Sequence, residues 1–332
     1  MNPVHPFASA RTILSTTLLL ALAGCAAPMG GDEDQETSPE ATMEAADAIK
    51  DGGAASLWTR ARAASLGNCT ATIIGARHLL TAAHCLPQKG NGVCFYTTTD
   101  PDYVPVDTGV CRTIDAVSYP PGVNASTGDY NDSDGDFADI AVVRLTSNIP
   151  STSSVATMAW LYPSGDDDWG TKVGAGTHDG YTNSDRDLRS IGDWTYSDND
   201  NDGHFLTENE QTNPGDSGGA FFYGSRLLGV LNGDVFEWEY RNKYTSVQKQ
   251  LSWILSSMGY SFSGSTSINT MVTGNALSSL YASTSRECSY ICDRTSGCDA
   301  FNYITWMPSI PCQLLSSNAG SAAVSGVTSG VK

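Results

Sequence analysis

Short apolar runs separated by turn residues dominate the chain from Cys69 onward. Ala71-Thr72-Ile73-Ile74 runs into Gly75-Ala76-Arg77, and Leu79-Leu80-Thr81-Ala82-Ala83 resumes, which predicts two strands joined by a turn. Phe95-Tyr96 and Tyr103-Val104-Pro105-Val106 flank the turn residues Asp100-Pro101-Asp102. Ile140-Ala141-Val142-Val143, Val173-Gly174-Ala175-Gly176, Leu188-Arg189-Ser190-Ile191 and Ala220-Phe221-Phe222-Tyr223 are further strand-length segments. Many short strands with Gly, Asn and Asp turns predict an all-β body. The period changes once within it. Val247, Leu251, Ile254, Leu255 and Met258 recur at helical spacing and share a face, predicting one packed helix at its end.

The two ends of the chain read differently. Arg11 precedes an apolar run from Ile13 to Ala23, too short to span a bilayer comfortably and typical of a secretory signal. Residues 25–48 are rich in Ala, Glu, Asp, Gly and Pro without apolar period, so they predict an acidic tether. After the predicted helix, Ser261 to Ser267 has the composition of a short flexible linker, assigned to residues 263–267. Residues 268–332 then predict a small α+β module. Thr284-Ser285-Arg286-Glu287 is a capping box opening a helix that carries Cys288 and Cys292 on one face. Cys298 to Tyr303 and Cys312 to Leu315 read as strands.

Charge and cysteine usage narrow the setting. The chain has 332 residues, with Lys+Arg 18 against Asp+Glu 36, a net charge of −18. Such a surface will not hold nucleic acid by charge and repels anionic partners. Of nine cysteines, Cys25 stands apart and the other eight fall in local clusters, which suits an oxidising compartment and disulfides. No Cys-x-x-Cys pair favours zinc as the rival reading. Asp129 to Asp136 and Asp198 to Gly203 are acidic runs. The second spaces its oxygens as a calcium loop would, but the position that should hold the bidentate glutamate is Asn209. A polar loop is the preferred reading and calcium the alternative; otherwise no cofactor is expected.

Asn213-Pro214-Gly215-Asp216-Ser217-Gly218-Gly219 carries the strongest chemical signal. Glycines on both sides of Ser217 let the backbone turn sharply around one hydroxyl. A serine hydroxyl is a poor nucleophile alone and needs a base, itself oriented by a third group. His84, in Thr81-Ala82-Ala83-His84-Cys85, and Asp139, heading an apolar strand in Phe137-Ala138-Asp139-Ile140-Ala141, are the candidate partners. The N–H groups of Gly215 and Ser217 are candidates to face a developing oxyanion. The order His, Asp, Ser is that of chymotrypsin-type proteases, not of subtilisins or α/β-hydrolases.

These three segments resemble the trypsin/chymotrypsin family. Lys243-Tyr244-Thr245-Ser246-Val247 and Leu251-Ser252-Trp253-Ile254 resemble its closing strand and helix, so the likeness covers residues 49–262. It implies a double six-stranded antiparallel β-barrel with a C-terminal helix, a Cys69–Cys85 bridge beside the base, and hydrolysis of peptide bonds. Cys94 and Cys111 are read as a structural bridge. By the same resemblance Gln211, six residues before Ser217, is the base of the specificity pocket, and Asn232-Gly233-Asp234 its opposite wall. Ile49-Lys50-Asp51-Gly52 resembles the N-terminus that family members expose on activation, whose amine pairs with the residue at Asp216. Leu22-Ala23-Gly24-Cys25 resembles a bacterial lipobox, implying a signal peptide over 1–24 and lipidation of Cys25. The tail resembles a PAN/apple module, implying Cys288–Cys312 and Cys292–Cys298 bridges and a protein or carbohydrate ligand. The chain is thus expected to be an exported, lipid-anchored endopeptidase of the bacterial cell envelope, released to the extracellular space if cut before Ile49. A catalytically inactive homologue that binds at the cell surface is the alternative. Its only membrane contact is the anchor.

Overall fold

In this computed structural model the described residues are 49, 52–96, 110–161, 168–176, 188–196, 202–209, 211–236 and 240–332. The signal peptide, Cys25, the acidic tether, the Tyr103–Val106 strand and residues 198–201 of the second acidic run lie outside them. Two closed six-stranded antiparallel barrels form the chymotrypsin-like body. A two-residue strand β1 (Gly53–Ala54) and a one-turn helix α1 (Leu57–Arg60) precede them. The first barrel comprises β2 (Ala63–Leu66), β3 (Cys69–Gly75), β4 (His78–Thr81), β5 (Gly92–Phe95), β6 (Cys111–Ser118) and β7 (Ala141–Leu145). They close in the order β2-β3-β4-β7-β6-β5. Alternate side chains point inward along each strand, so Ala71, Ile73, Leu79, Val93, Phe95 and Val143 fill its interior. Cys94 and Cys111 face each other on β5 and β6 and are disulfide-bonded.

After the edge strand β8 (Thr157–Met158), the second barrel comprises β9 (Trp169–Gly174), β10 (Arg189–Tyr196), β11 (His204–Thr207), β12 (Ala220–Tyr223), β13 (Arg226–Phe236) and β14 (Tyr240–Ser246). The path β10-β11-β14-β13-β12-β9 closes through pairing of β9 with β10. Its centre is aromatic. Phe205 stacks on Tyr244 at 5.3 Å between centroids, and Phe221 meets both edge-on. Gly229 is required beneath them, because a Cβ there would lie 2.5 Å from the Phe205 ring. Helix α2 (Val247–Ser257) follows at once, capped by Ser246, whose hydroxyl accepts from Lys249 N. It buries Val247, Leu251, Ile254 and Leu255 against the second barrel.

The C-terminal residues form a five-stranded antiparallel sheet and one helix. Strands β15 (Ser265–Thr273), β16 (Ala276–Leu280), β17 (Ala300–Ile304), β18 (Cys312–Leu315) and β19 (Gly320–Val331) lie in the order β15-β19-β17-β18-β16. Helix α3 (Ser285–Arg294) is pinned by Cys288–Cys312 and by Cys292–Cys298. The capping box differs in one detail. Thr284 accepts from Glu287 N, but Glu287 reaches past Thr284 to accept from the N–H and hydroxyl of Ser283.

The stretch expected to be a flexible linker is built into structure. Residues 265–267 pair with Val331, Gly330 and Ser329, and the Ser263 N–H and hydroxyl both donate to Asp293. The barrel core runs continuously into this module. Val247, Leu251, Ile254 and Leu255 share one buried cluster with Cys288, Tyr290, Ile291 and Phe301. A long pairing partner at the far C-terminus overrode the local preference of a Ser/Gly segment for coil. Among the described residues, no helix is long and apolar enough to cross a membrane.

Candidate active site

Strand β4 carries the chain into a single 3-10 turn, Ala83–Cys85, and so delivers His84 at the edge of the first barrel. The Cys69–Cys85 disulfide ties that turn to the start of β3. Asp139 arrives just before β7 and is 3% exposed. Its Oδ1 accepts from His84 N at 2.9 Å and its Oδ2 from His84 Nδ1 at 2.6 Å. The carboxylate therefore holds both the backbone and the ring of His84. With Nδ1 donating to Asp139, Nε2 is left as the acceptor on the far side of the ring. Asp139 is itself fixed from behind, since its carbonyl accepts from Asn232 Nδ2 at 2.7 Å and from Thr245 Oγ1 at 3.2 Å.

The Ser217 loop is shaped by a buried acid. Asp216 is fully buried; its Oδ1 accepts from Gly176 N at 2.6 Å, and its Oδ2 from Asn213 N at 2.8 Å and Ile49 N at 3.2 Å. Gly174 has to be glycine here, because a Cβ would sit 2.2 Å from Asp216 Oδ1. Thr70 of β3 then docks the loop onto the first barrel. Its N–H donates to the Ser217 carbonyl at 2.8 Å and its hydroxyl to the Gly215 carbonyl at 3.0 Å. Cys85 Sγ lies 3.8 Å from the Ser217 carbonyl, which sets Ser217 against the disulfide that neighbours His84. Within the loop, the N–H groups of Asp216, Gly218 and Gly219 all donate to backbone carbonyls, whereas among the described residues those of Gly215 and Ser217 enter no backbone bond. The Ser217 hydroxyl makes no direct hydrogen bond to His84 among the described residues. In unliganded sites that contact often tightens only with substrate bound.

A pocket of about 200 Å³ opens beside Ser217, lined by Thr212, Asn213, Pro214, Leu231, Gly233 and Asp234. Of the residues expected to shape it, Gly233 and Asp234 do so. Asn232 turns away to hold Asp139, and Gln211 is not among the lining residues. Gln211 N instead donates to Asn242 Oδ1 at 3.1 Å. Asn242, Thr212, Lys172 and Asp193 belong to the same network, and none stood out in the sequence. Lys172 is fully buried on β9 and pairs with Asp193 of β10 at 2.5 Å. Burial pushes its ammonium down to about 8, opposed by the Asp193 carboxylate and its hydrogen bond. A polar residue at alternate strand positions is the one signal that pointed inward, and it is indistinguishable from a solvated face without the barrel.

Acidic side chains elsewhere do not assemble a cation site among the described residues. In the loop from Asp129, Asp132 Oδ1 is taken by the N–H groups of Asp134 and Asp136, and its Oδ2 by Gln250 Nε2. Among the described residues, the one cluster of potential ligands brings together Cys69, His84 and Cys85, and both cysteine sulfurs are in a disulfide.

Two six-stranded barrels, with a histidine–aspartate pair on the first and a glycine-bracketed serine loop docked against it, define a chymotrypsin-like double-barrel protein. The trypsin family model matches residues 54–254, more than half of the chain, and the chain belongs to that family. Among solved structures, neuropsin, a serine protease expressed in the limbic system of mouse brain, is 20% identical with a TM-score of 0.51. The match covers 63% of this chain and 99% of that one, and at this identity it speaks for the shared fold. No curated protein matches the chain. Membership of the family implies peptidase activity on protein or peptide substrates.

Proposed function

We propose that the chain is an exported serine endopeptidase in which Ser217 is the nucleophile, His84 the general base and Asp139 its orienting acid. The observation that carries this reading is the paired grip of Asp139 on His84, which leaves Nε2 as the ring's remaining acceptor. Ser217 attacks the scissile carbonyl and passes its proton to His84 Nε2; the imidazolium, stabilised by Asp139, returns it to the leaving amine. The N–H groups of Gly215 and Ser217, which have no backbone partner among the described residues, would receive the tetrahedral oxyanion. Water then hydrolyses the acyl-enzyme by the same proton route.

The N-terminal half of the proposal rests on the lipobox-like Leu22-Ala23-Gly24-Cys25 and on Ile49. Lipidated Cys25 would hold the enzyme at the bacterial envelope through the acidic tether. Ile49 N already donates to Asp216. Cutting before Ile49 would turn that amide into a cationic amine beside a fully buried carboxylate, supplying the opposite charge such a group calls for. The same cut would release the enzyme from its anchor. N-terminal sequencing of the active form reads this directly; full activity with residues 26–48 attached counts against it. The C-terminal module, stapled by two disulfides, is read as PAN/apple-like, with a protein or carbohydrate ligand.

A fluorophosphonate probe tests the central assignment. Wild type should be labelled, and Ser217→Ala should fold, escape labelling and lose up to about 10⁶ in kcat. Labelling of Ser217→Ala, or retained hydrolysis, would remove Ser217 from the mechanism.

A further inference from the structure

The strands of the second barrel close around a buried ammonium. Lys172 of β9 is fully buried, and its three donors go to Asp193 Oδ2 at 2.5 Å, the Asn209 carbonyl at 2.5 Å and Asn242 Oδ1 at 2.6 Å. Asp193 of β10 completes the grip on Asn209. Its Oδ2 accepts from Asn209 N at 3.2 Å and its Oδ1 from Asn209 Nδ2 at 2.7 Å. Asn242 of β14 is also fully buried. Its Oδ1 takes Gln211 N at 3.1 Å as well as Lys172, and its Nδ2 donates to Thr212 Oγ1 at 2.8 Å. An ammonium only donates, so Lys172 dictates which end of the Asn242 amide faces it, and hence that Oδ1 is presented to Gln211 and Nδ2 to Thr212.

These contacts hold a stretch of chain that no strand holds. Asn209 and Gln211 lie between β11 and β12, outside the sheet ladders, so their backbone groups need side chains as partners. The path from there to the nucleophile is short. Thr212 and Asn213 line the pocket beside Ser217. Asn213 N donates to Asp216 Oδ2 at 2.8 Å, and Asp216 N donates to the Asn213 carbonyl at 3.0 Å. An apolar pair in place of Lys172 and Asp193 would pack the barrel as well or better. It would also strip the Asn209 N–H and carbonyl of these partners and leave the Asn242 amide free to turn over. The barrel itself does not call for the two charges; the segment leading to Ser217 does.

We propose that Lys172 is a positioning residue for catalysis: its ammonium, with Asp193 and Asn242, holds Asn209 and residues 211–213 as the fixed wall against which substrate is seated beside Ser217. This rests on the peptidase reading above, and it makes activity depend on the charge of a group that never touches substrate. A neutral amine has two N–H groups for three acceptors and leaves the Asp193 carboxylate buried without opposite charge. Burial pushes the Lys172 ammonium down to about 8, opposed by Asp193 from β10 and Asp234 from β13. From β14 come the uncharged Asn242 and the Tyr244 phenol, which burial keeps protonated by raising it well above its ordinary value. Strand β12 sets the apolar Phe221 alongside. Seating of substrate therefore weakens as pH rises through about 8, while this group's contribution to stability rises over the same range.

The test uses the mature enzyme, one peptide substrate that wild type cleaves, and fluorophosphonate labelling as the readout of the triad. In wild type, KM should rise above about pH 8. Lys172→Met/Asp193→Asn should raise KM at neutral pH by at least about tenfold, with a smaller change in kcat and in labelling rate. The double variant should also lose the alkaline rise. An unchanged KM overturns the proposal and leaves the triad standing. So does an alkaline rise that persists in the double variant, since it then belongs to another group, such as the Ile49 amine. Equal losses in KM, kcat and labelling, with the shape of the pH profile kept, reduce Lys172 to a packing role and overturn the proposal too. An unlabelled wild type overturns both the proposal and the peptidase reading. If the double variant does not fold, Asn242→Ala decides, because it keeps the ion pair and removes the link to Gln211 and Thr212: a raised KM with labelling retained supports the proposal, and an unmoved KM overturns it.

Discussion

Removing a single hydroxyl from Tyr290 probes how firmly the C-terminal module is joined to the second barrel. Tyr290 lies on α3 and is 2% exposed. Met158 N–H, at the end of edge strand β8, donates to the Tyr290 hydroxyl at 2.9 Å. The ring packs edge-on against Trp160 at 6.5 Å and Tyr260 at 5.5 Å between centroids. Tyr290→Phe keeps those ring contacts and leaves the buried Met158 N–H without its acceptor. An orphaned buried donor costs about 1–3 kcal/mol. For a unit of this size, ~2 kcal/mol lowers Tm by roughly 4–8 °C. Tyr290→Ala also loses the ring and should cost about 3–5 kcal/mol, as other buried aromatic truncations do. Tyr303→Phe is the control. That hydroxyl donates to the Ser283 carbonyl at a solvent-exposed site, so its loss should stay near 0.5 kcal/mol. Differential scanning calorimetry, followed in parallel by loss of peptide hydrolysis, should give one transition that shifts as a unit. An unchanged Tm for Tyr290→Phe, or two transitions of which only one moves, would refute the shared-core reasoning.

Two further outcomes follow from buried polar groups. Gly174→Ala places a Cβ 2.2 Å from Asp216 Oδ1; the clash should cost about 1–3 kcal/mol and slow fluorophosphonate labelling of Ser217 by distorting its loop. Wild-type labelling and Tm in that variant would show that Asp216 does not set the loop. Lys172 carries a pH signature of definite sign. Its ammonium titrates at about 8 in the fold against an ordinary 10.5. Below pH 8 both folded and unfolded chains hold the proton, and the burial penalty is fully present. Between about 8 and 10.5 the unfolded chain binds more protons, so this group's contribution to stability rises with pH. Denaturant titrations of wild type and Lys172→Met/Asp193→Asn from pH 7.5 to 10 should diverge in that direction; parallel slopes would refute it.

Local chemistry specified a good deal. Apolar runs of four to seven residues between Gly, Asn and Asp turns announced β3, β4, β7 and β12, because strand pairing needs little more than an inward face and a turn. The spacing of Val247, Leu251, Ile254 and Leu255 announced α2, and Thr284 with Glu287 announced α3. His84, Asp139 and Ser217 stood out as candidates because each sits in a short segment with a distinctive setting: a strand end, an apolar strand head and a glycine bracket. Tertiary closure decided what those segments meet. Strand β19 is built from Gly, Ser, Ala, Val and one Thr and carries little apolar period; it is a strand because Ser265 to Thr273 lies alongside it, from Ser265↔Val331 onward. That pairing also turned the expected linker into β15. Asp234 was read as a pocket wall, but Lys172 and Asn242 looked like unrelated polar positions. Only barrel closure brings β9, β13 and β14 together and lets a buried ammonium 70 residues from Asn242 orient its amide. A residue's strand propensity is carried by its own backbone and near neighbours, whereas the partner of a buried charge is chosen by whichever distant chain excludes water from it.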